Sequence, residues 1–141
     1  MSFIVCHAQY DPANPSQRVS HAKQELNNYI QELKHHLPSR KDDITYLSNI
    51  YISKKTGSLV FKYDIDDSDI SMDDFDMKLI YNGILTQIEN ANGPTANLYW
   101  DLVVLKKNLV HLYVGSFSKK QKVITVKYED IRYMRKLANW L

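Results

Sequence analysis

Between Val19 and Leu37 the apolar residues recur at steps of three and four, and from Ile44 onward the period shortens toward two. That change of period is the strongest constraint on the fold. One face of a helix repeats every ~3.6 residues and one face of a strand every second residue. A chain that does both in turn is neither a helical bundle nor a pure β-sandwich. Val19, Ala22, Leu26, Tyr29, Ile30, Leu33 and Leu37 fall on one side of a helical wheel, so the first helix carries a single buried stripe. Asn14-Pro15 gives it a cap and then a Pro where the missing N–H costs nothing, and Pro38 stops it.

Phe3 to Cys6 reads as a strand before this helix. Ile44–Ile52 and Leu59–Ile65 are rich in β-branched and aromatic residues and are joined by Lys54-Lys55-Thr56-Gly57, a hairpin signature. Pairing Ile52 with Leu59 and Ile50 with Phe61 gathers the large apolar side chains on one face. A second helix is expected from near Ser71 to Asn92-Gly93, with Pro94 behind it. Three further strands are expected at Asn97–Leu105, Leu109–Phe117 and Lys122–Tyr128. Their even-numbered residues share a face when Leu102 opposes Leu112 and Leu112 opposes Val126. Asp130 then caps a last helix. The expected class is α+β, in the ferredoxin-like βαββαβ order extended by a C-terminal ββα. The sheet is mainly antiparallel, with helices packed on one face.

The 141 residues fit a single domain, 1–141, that buries roughly two thirds of its unfolded surface. No apolar run approaches the ~20 residues of a membrane span, Met1-Ser2-Phe3 opens without a secretory leader, and Cys6 is the lone cysteine. A cytoplasmic protein that does not contact a membrane is the expectation. The net charge of +2 conceals an asymmetry: residues 1–93 hold nine Lys/Arg against thirteen Asp/Glu, and residues 94–141 nine against three. Seven of the twelve Asp lie between Asp64 and Asp76.

That run is not a calcium loop, since Asp69 stands where the EF-hand pattern needs Gly and Phe75 where it needs Glu. Asp73, Asp74 and Asp76 suit the start of the second helix, where acids complement its dipole. Asp64, Asp66, Asp67 and Asp69 have no such role and make a candidate acidic patch. His21, His35 and the Glu32–His36 pair lie on the polar face of the first helix, too few groups for a metal centre. Cys6 and His7 are neighbours on a strand, so their side chains diverge. His111 would stand diagonal to Asp101, a pairing that could orient a base. No metal, cofactor or glycine-rich phosphate loop is indicated, and the chain reads as a non-enzyme.

Lysines and arginines collect toward the C-terminus. Lys106, Lys107, Lys119, Lys120, Lys122, Arg132 and Arg135 are the candidate residues for an alternative reading, nucleic-acid binding, with Tyr99 and Tyr113 on the open sheet face. Tyr10-Asp11 followed by Arg18 resembles the ferredoxin-like CRISPR-adaptation endonucleases. The resemblance implies a metal-dependent nuclease in which Asp11 is the catalytic candidate.

The leading expectation comes from leftover apolar surface. In the second helix Met77, Ile80, Tyr81, Ile84, Ile88 and Ala91 form one face, while Phe75 and Leu79 lie with Met72 on nearly the opposite one. In the last helix Tyr133 and Trp140 widen the core stripe beside Arg132 and Lys136, a mixture that interface hot spots use. The chain is therefore read as an interaction protein that binds a protein partner, or a second copy of itself. Its binding residues would be Phe75, Leu79, Tyr133, Lys136, Trp140, Asp64, Asp66, Asp67 and Asp69, in the manner of an inhibitor or immunity-type factor of a mobile element.

Overall fold

The computed structural model describes residues 11–138. The expected strand at Phe3–Cys6, its neighbour His7, Tyr10 and Trp140 lie outside them. Helix α1 spans Pro15–Lys34, and its cap is the expected one: the Asn14 side chain accepts the N–H groups of Ser16 and Gln17 at 3.0 and 3.3 Å. Ala22, Leu26 and Ile30 are its buried stripe. The short β1 (Ser39–Arg40) leads into β2 (Thr45–Ile52) and β3 (Leu59–Ile65). Ile52 pairs with Leu59 and Ile50 with Phe61, and Gly57 takes a positive φ of 75° in the turn between. A bulge between Leu47 and Asn49 shifts the register beyond that point.

Ser71 caps only a 3-10 turn, Met72–Asp74; α2 begins at Met77, where Asp76 accepts the Leu79 N–H at 3.1 Å, and runs to Asn90. Gly93 takes a positive φ of 59°, as suits a helix stop, but the chain turns straight into another helix, α3 (Gly93–Leu105). Then come β4 (Leu109–Gly115), β5 (Gln121–Val126) and α4 (Tyr128–Ala138). The order is thus αβββααββα over the described residues, and the ferredoxin-like order is not what they show.

Asn97–Leu105 is helical because it is apolar on almost every side. Leu98, Trp100, Leu102 and Val104 alternate as a strand would, yet Leu98, Asp101, Leu102 and Leu105 also repeat as a helix face. Pro94 in the first turn favours that helix. With this segment lost to the sheet, β4 has no strand before it and pairs in parallel with β3. The sheet has five strands in the order β1-β2-β3-β4-β5, and its other pairings are antiparallel.

The expected register of the last hairpin also fails. Leu112 faces Val123, and Val126 faces Leu109. The odd-numbered side of β4 is therefore buried, the opposite of the expectation, because an odd slip turns every side chain over. The turn fixes this register. Asp67 accepts the N–H groups of Phe117 and Ser118 at 2.8 and 3.3 Å, and the Ser118 hydroxyl as well. A Cβ on Gly115 would run into the Asp67 carboxylate. The core lies between the helices and one face of the sheet, formed around Leu26, Ile50, Leu59, Ile65, Ile88, Leu102, Leu109 and Ile131.

Candidate functional site

Between α2 and the sheet the core is left incomplete. The gap is a cleft of about 640 Å³. Its floor comes from the parallel pair: register places Phe61 beside His111 and Tyr63 beside Tyr113 on the helix-facing side. The rings pack in sequence, with His111 stacked 5.5 Å from Phe61 and tilted against Tyr63 at 5.2 Å, and Tyr63 stacked 5.0 Å from Tyr113. His111 Nδ1 and the Tyr113 hydroxyl are 3.4 Å apart. Burial pushes His111 down to about 4, so its ring is neutral at ordinary pH. Burial pushes the Tyr113 phenol up to about 12 and Tyr63 higher still, the latter helped by the phenols of Tyr113, Tyr99 and Tyr29. The floor is thus uncharged, aromatic and polar only at ring edges.

One wall is α2, through Leu79, Ile80, Gly83, Ile84 and Gln87, with Phe75 at the near end. A Cβ on Gly83 would meet nothing within 4 Å, so the helix opens a gap there. The rim is acidic. Asp42 is held below the usual carboxylate range, chiefly by the Ile44 N–H that it accepts at 3.0 Å. Asp76 stands at the start of α2, and Lys41 is the cation of this lining. A second hollow, about 570 Å³, adjoins at Phe75 and adds Asp69 and Asp74.

Of the residues expected to bind a partner, Phe75 and Leu79 meet at this cleft; Leu79 is 68% exposed. Asp69 lies in the adjoining hollow. Asp66 is exposed and bonded to Ser68, whose hydroxyl and N–H hold its carboxyl below the usual range. Asp67 is buried in the turn clamp already described, and Asp64 sits on the opposite face of the sheet. Tyr133 and Lys136 are exposed on α4.

The basic candidates do not form one surface. Lys107 donates to the Gly57 carbonyl at 3.1 Å, beside the β2–β3 turn, with Lys106 exposed at the end of α3. Lys119 and Lys120 lie at the other end of β4; Lys120 pairs with Asp73 at 2.6 Å and Lys122 with the same carboxylate at 3.5 Å. Arg132 is exposed. Arg135 is buried, its guanidinium donating to the carbonyls of Ile88, Glu89 and Ala91 at the end of α2. Asp11 is exposed, its Oδ1 accepting the Ala13 N–H, and Arg18 is exposed on α1.

Asp101 does not stand on a strand diagonal to His111, because its segment is helical. It lies on α3 at 8% exposure, against Glu25 of α1, and is pushed up to about 7 by burial first and then by that neighbouring carboxylate. Among the described residues no group of three or more His, Cys, Asp or Glu could hold a metal ion. No described helix is long and apolar enough to cross a membrane. The cleft floor was not legible in sequence, because Tyr63, His111 and Tyr113 meet only through the parallel β3–β4 register.

No protein-family model and no curated protein matches the chain. A crystal structure from Pseudomonas aeruginosa, described as a "putative secreted protein", has a similar fold, with a TM-score of 0.61. The two share 9% sequence identity, and the match covers 79% of this chain and 94% of that one. At that identity the likeness shows the fold alone.

Proposed function

We propose that the protein is a non-enzymatic interaction module whose α2 cleft receives an apolar segment of a protein partner flanked by basic residues. The observation that carries this reading is the cleft itself: an aromatic floor built by Tyr63, His111 and Tyr113, with the apolar Leu79 exposed on its wall. Grooves of this type seat aromatic or aliphatic anchors, and buried aromatic contacts supply most of the binding energy in such complexes. Asp42 and Asp76 at the rim and Asp69 and Asp74 beside it, against Lys41, favour a basic flank on the partner. A protein of this type would act by occupying its partner, as an inhibitor or immunity-type factor does. The lone Cys6 suits a cytoplasmic setting.

The test is selection of displayed peptides against the full chain. Sequences that pair an aromatic or branched aliphatic residue with nearby Lys or Arg are expected. Gly83→Leu should fill the gap in α2 and weaken their binding at least ~10-fold, while stabilising the helix by roughly 0.5–1 kcal/mol. Selected peptides that bind Gly83→Leu as well as the native chain would sink the proposal.

A further inference from the structure

The sheet has a second face, and the strand register says what stands on it. Away from the helices, β4 presents Val110, Leu112 and Val114, and β3 sets Val60, Lys62 and Asp64 directly beside them. On the other side Val123 of β5 stands opposite Leu112 and is 55% exposed. Val110, Leu112, Val114 and Val123 lie outside the core and do not pack against it, while Val60 is buried. A strand solvated on one face alternates apolar with polar residues, whereas a strand covered on both reads as a continuous apolar run. β4, with Leu109-Val110-His111-Leu112-Tyr113-Val114, has the composition of a strand covered on both faces. Beside the apolar row, Lys62 and Asp64 are half-buried charges of opposite sign, and neither has an ion-pair partner among the described residues.

We propose that this face is a self-complementary interface on which a second copy of the chain packs, sheet on sheet. The twofold axis would cross the strands between Lys62 and Asp64. It sets Lys62 of one copy over Asp64 of the second, the reverse pair beside it, and Leu112 over Val114. Such an isologous contact closes after two copies. Packed sheets lie about 10 Å apart, a gap that a lysine and an aspartate span together. Charge complementarity favours a second copy over an unrelated occupant, because the face carries both members of the pair two residues apart on one strand, and a twofold axis between them sets each over the other.

The size of the face sets the strength. Four strands at ~4.8 Å, each about seven residues at ~3.3 Å, give a projected footprint of roughly 440 Å². That is about half the ~800 Å² per partner of a standard interface, so association is weak and concentration-dependent. The α2 cleft lies on the other side of the sheet, and either proposal can fail while the other stands.

Sedimentation velocity on the full chain across the micromolar range tests it. The mass should rise from 16.5 kDa toward twice that value with concentration. Lys62→Asp places like charges over one another and should weaken association at least ~10-fold, whereas Lys62→Asp combined with Asp64→Lys exchanges the pair and restores it. Leu112→Ser should weaken association as well, with the far-UV circular dichroism of every variant unchanged. Leu79→Asp, on the other side, should leave the dimer intact. A monomer throughout the range overturns the proposal, as does a dimer indifferent to Lys62→Asp and Leu112→Ser, or one that the charge exchange fails to restore.

Discussion

Asp101 and His111 are buried groups whose proton affinities make stability depend on pH, and they act in opposite directions. The Asp101 carboxyl, pushed up to about 7, keeps its proton in the folded chain after the unfolded chain has lost it near ~3.9. Between those values the folded state binds more protons, so this contribution is lost as pH rises. His111 is the reverse. Its ring, pushed down to about 4, stays neutral in the folded chain while the unfolded ring gains a proton below ~6.5. That contribution is lost as pH falls from ~6.5 toward 4.

For Asp101 the interval from ~3.9 to about 7 corresponds to about 4 kcal/mol. The carboxyl lines a shallow hollow between α1 and α3, and solvent screening there reduces this to about 2 kcal/mol. For His111, at 9% exposure, the corresponding interval is worth about 3 kcal/mol. Between roughly pH 4.5 and 6.5 the two slopes largely cancel, and the native chain should show little net dependence from them. Asp101→Asn keeps the shape and removes the charge. Urea unfolding at a series of pH values should then show stability rising by as much as about 3 kcal/mol across that window, and a gain of about 2 kcal/mol over the native chain above pH ~7. His111→Phe, which preserves the stack, should show stability falling by about 2 kcal/mol as pH rises through the window. If Asp101→Asn neither gains stability above pH ~7 nor acquires the rising slope, the carboxyl is not held protonated, and the account of the α1–α3 contact is wrong.

Among the described residues, Asp67 and Arg135 are also buried charged side chains, and they hold backbone ends. Asp67→Ala removes the acceptor for the Phe117 and Ser118 amides, so Tm should fall and hydrogen exchange at Phe117 should quicken at least ~10-fold; an unchanged exchange rate would refute the clamp. Arg135→Met withdraws the donor from three carbonyls at the end of α2 and should cost roughly 2–4 kcal/mol in urea unfolding, against less than ~0.5 for the exposed Arg132→Met. Equal costs for the two would show that the buried guanidinium does not hold the end of α2.

What was legible in the sequence was local. Asn14-Pro15 identified the start of α1 because capping and a Pro at the first turn depend on residues a few positions apart. Gly57 identified the β2–β3 turn, and the register of Ile52 with Leu59 followed from placing large apolar residues together. The β4–β5 register failed for a reason outside the hairpin: its turn is shaped by Asp67, about fifty positions earlier, which no pattern within the hairpin reveals. Arg135 read as a surface cation because nothing in α4 shows that the carbonyls at the end of α2 lie against it.

The error at Asn97–Leu105 and the invisibility of the cleft have one cause. Read as a strand, that segment turns the C-terminal half into an antiparallel meander, in which β4 pairs with its immediate predecessor and β3 lies elsewhere. Read as α3, it leaves β4 to run parallel to β3, and a parallel pair needs a crossover long enough to hold helices. The crossover here contains both α2 and α3. α3 packs with α1, while α2 is left to cover the end of the sheet that carries Tyr63, His111 and Tyr113, and it does so with a gap at Gly83. The aromatic floor and its incomplete cover are therefore two consequences of a single helix–strand choice. A segment apolar on almost every side is where periodicity could not make that choice.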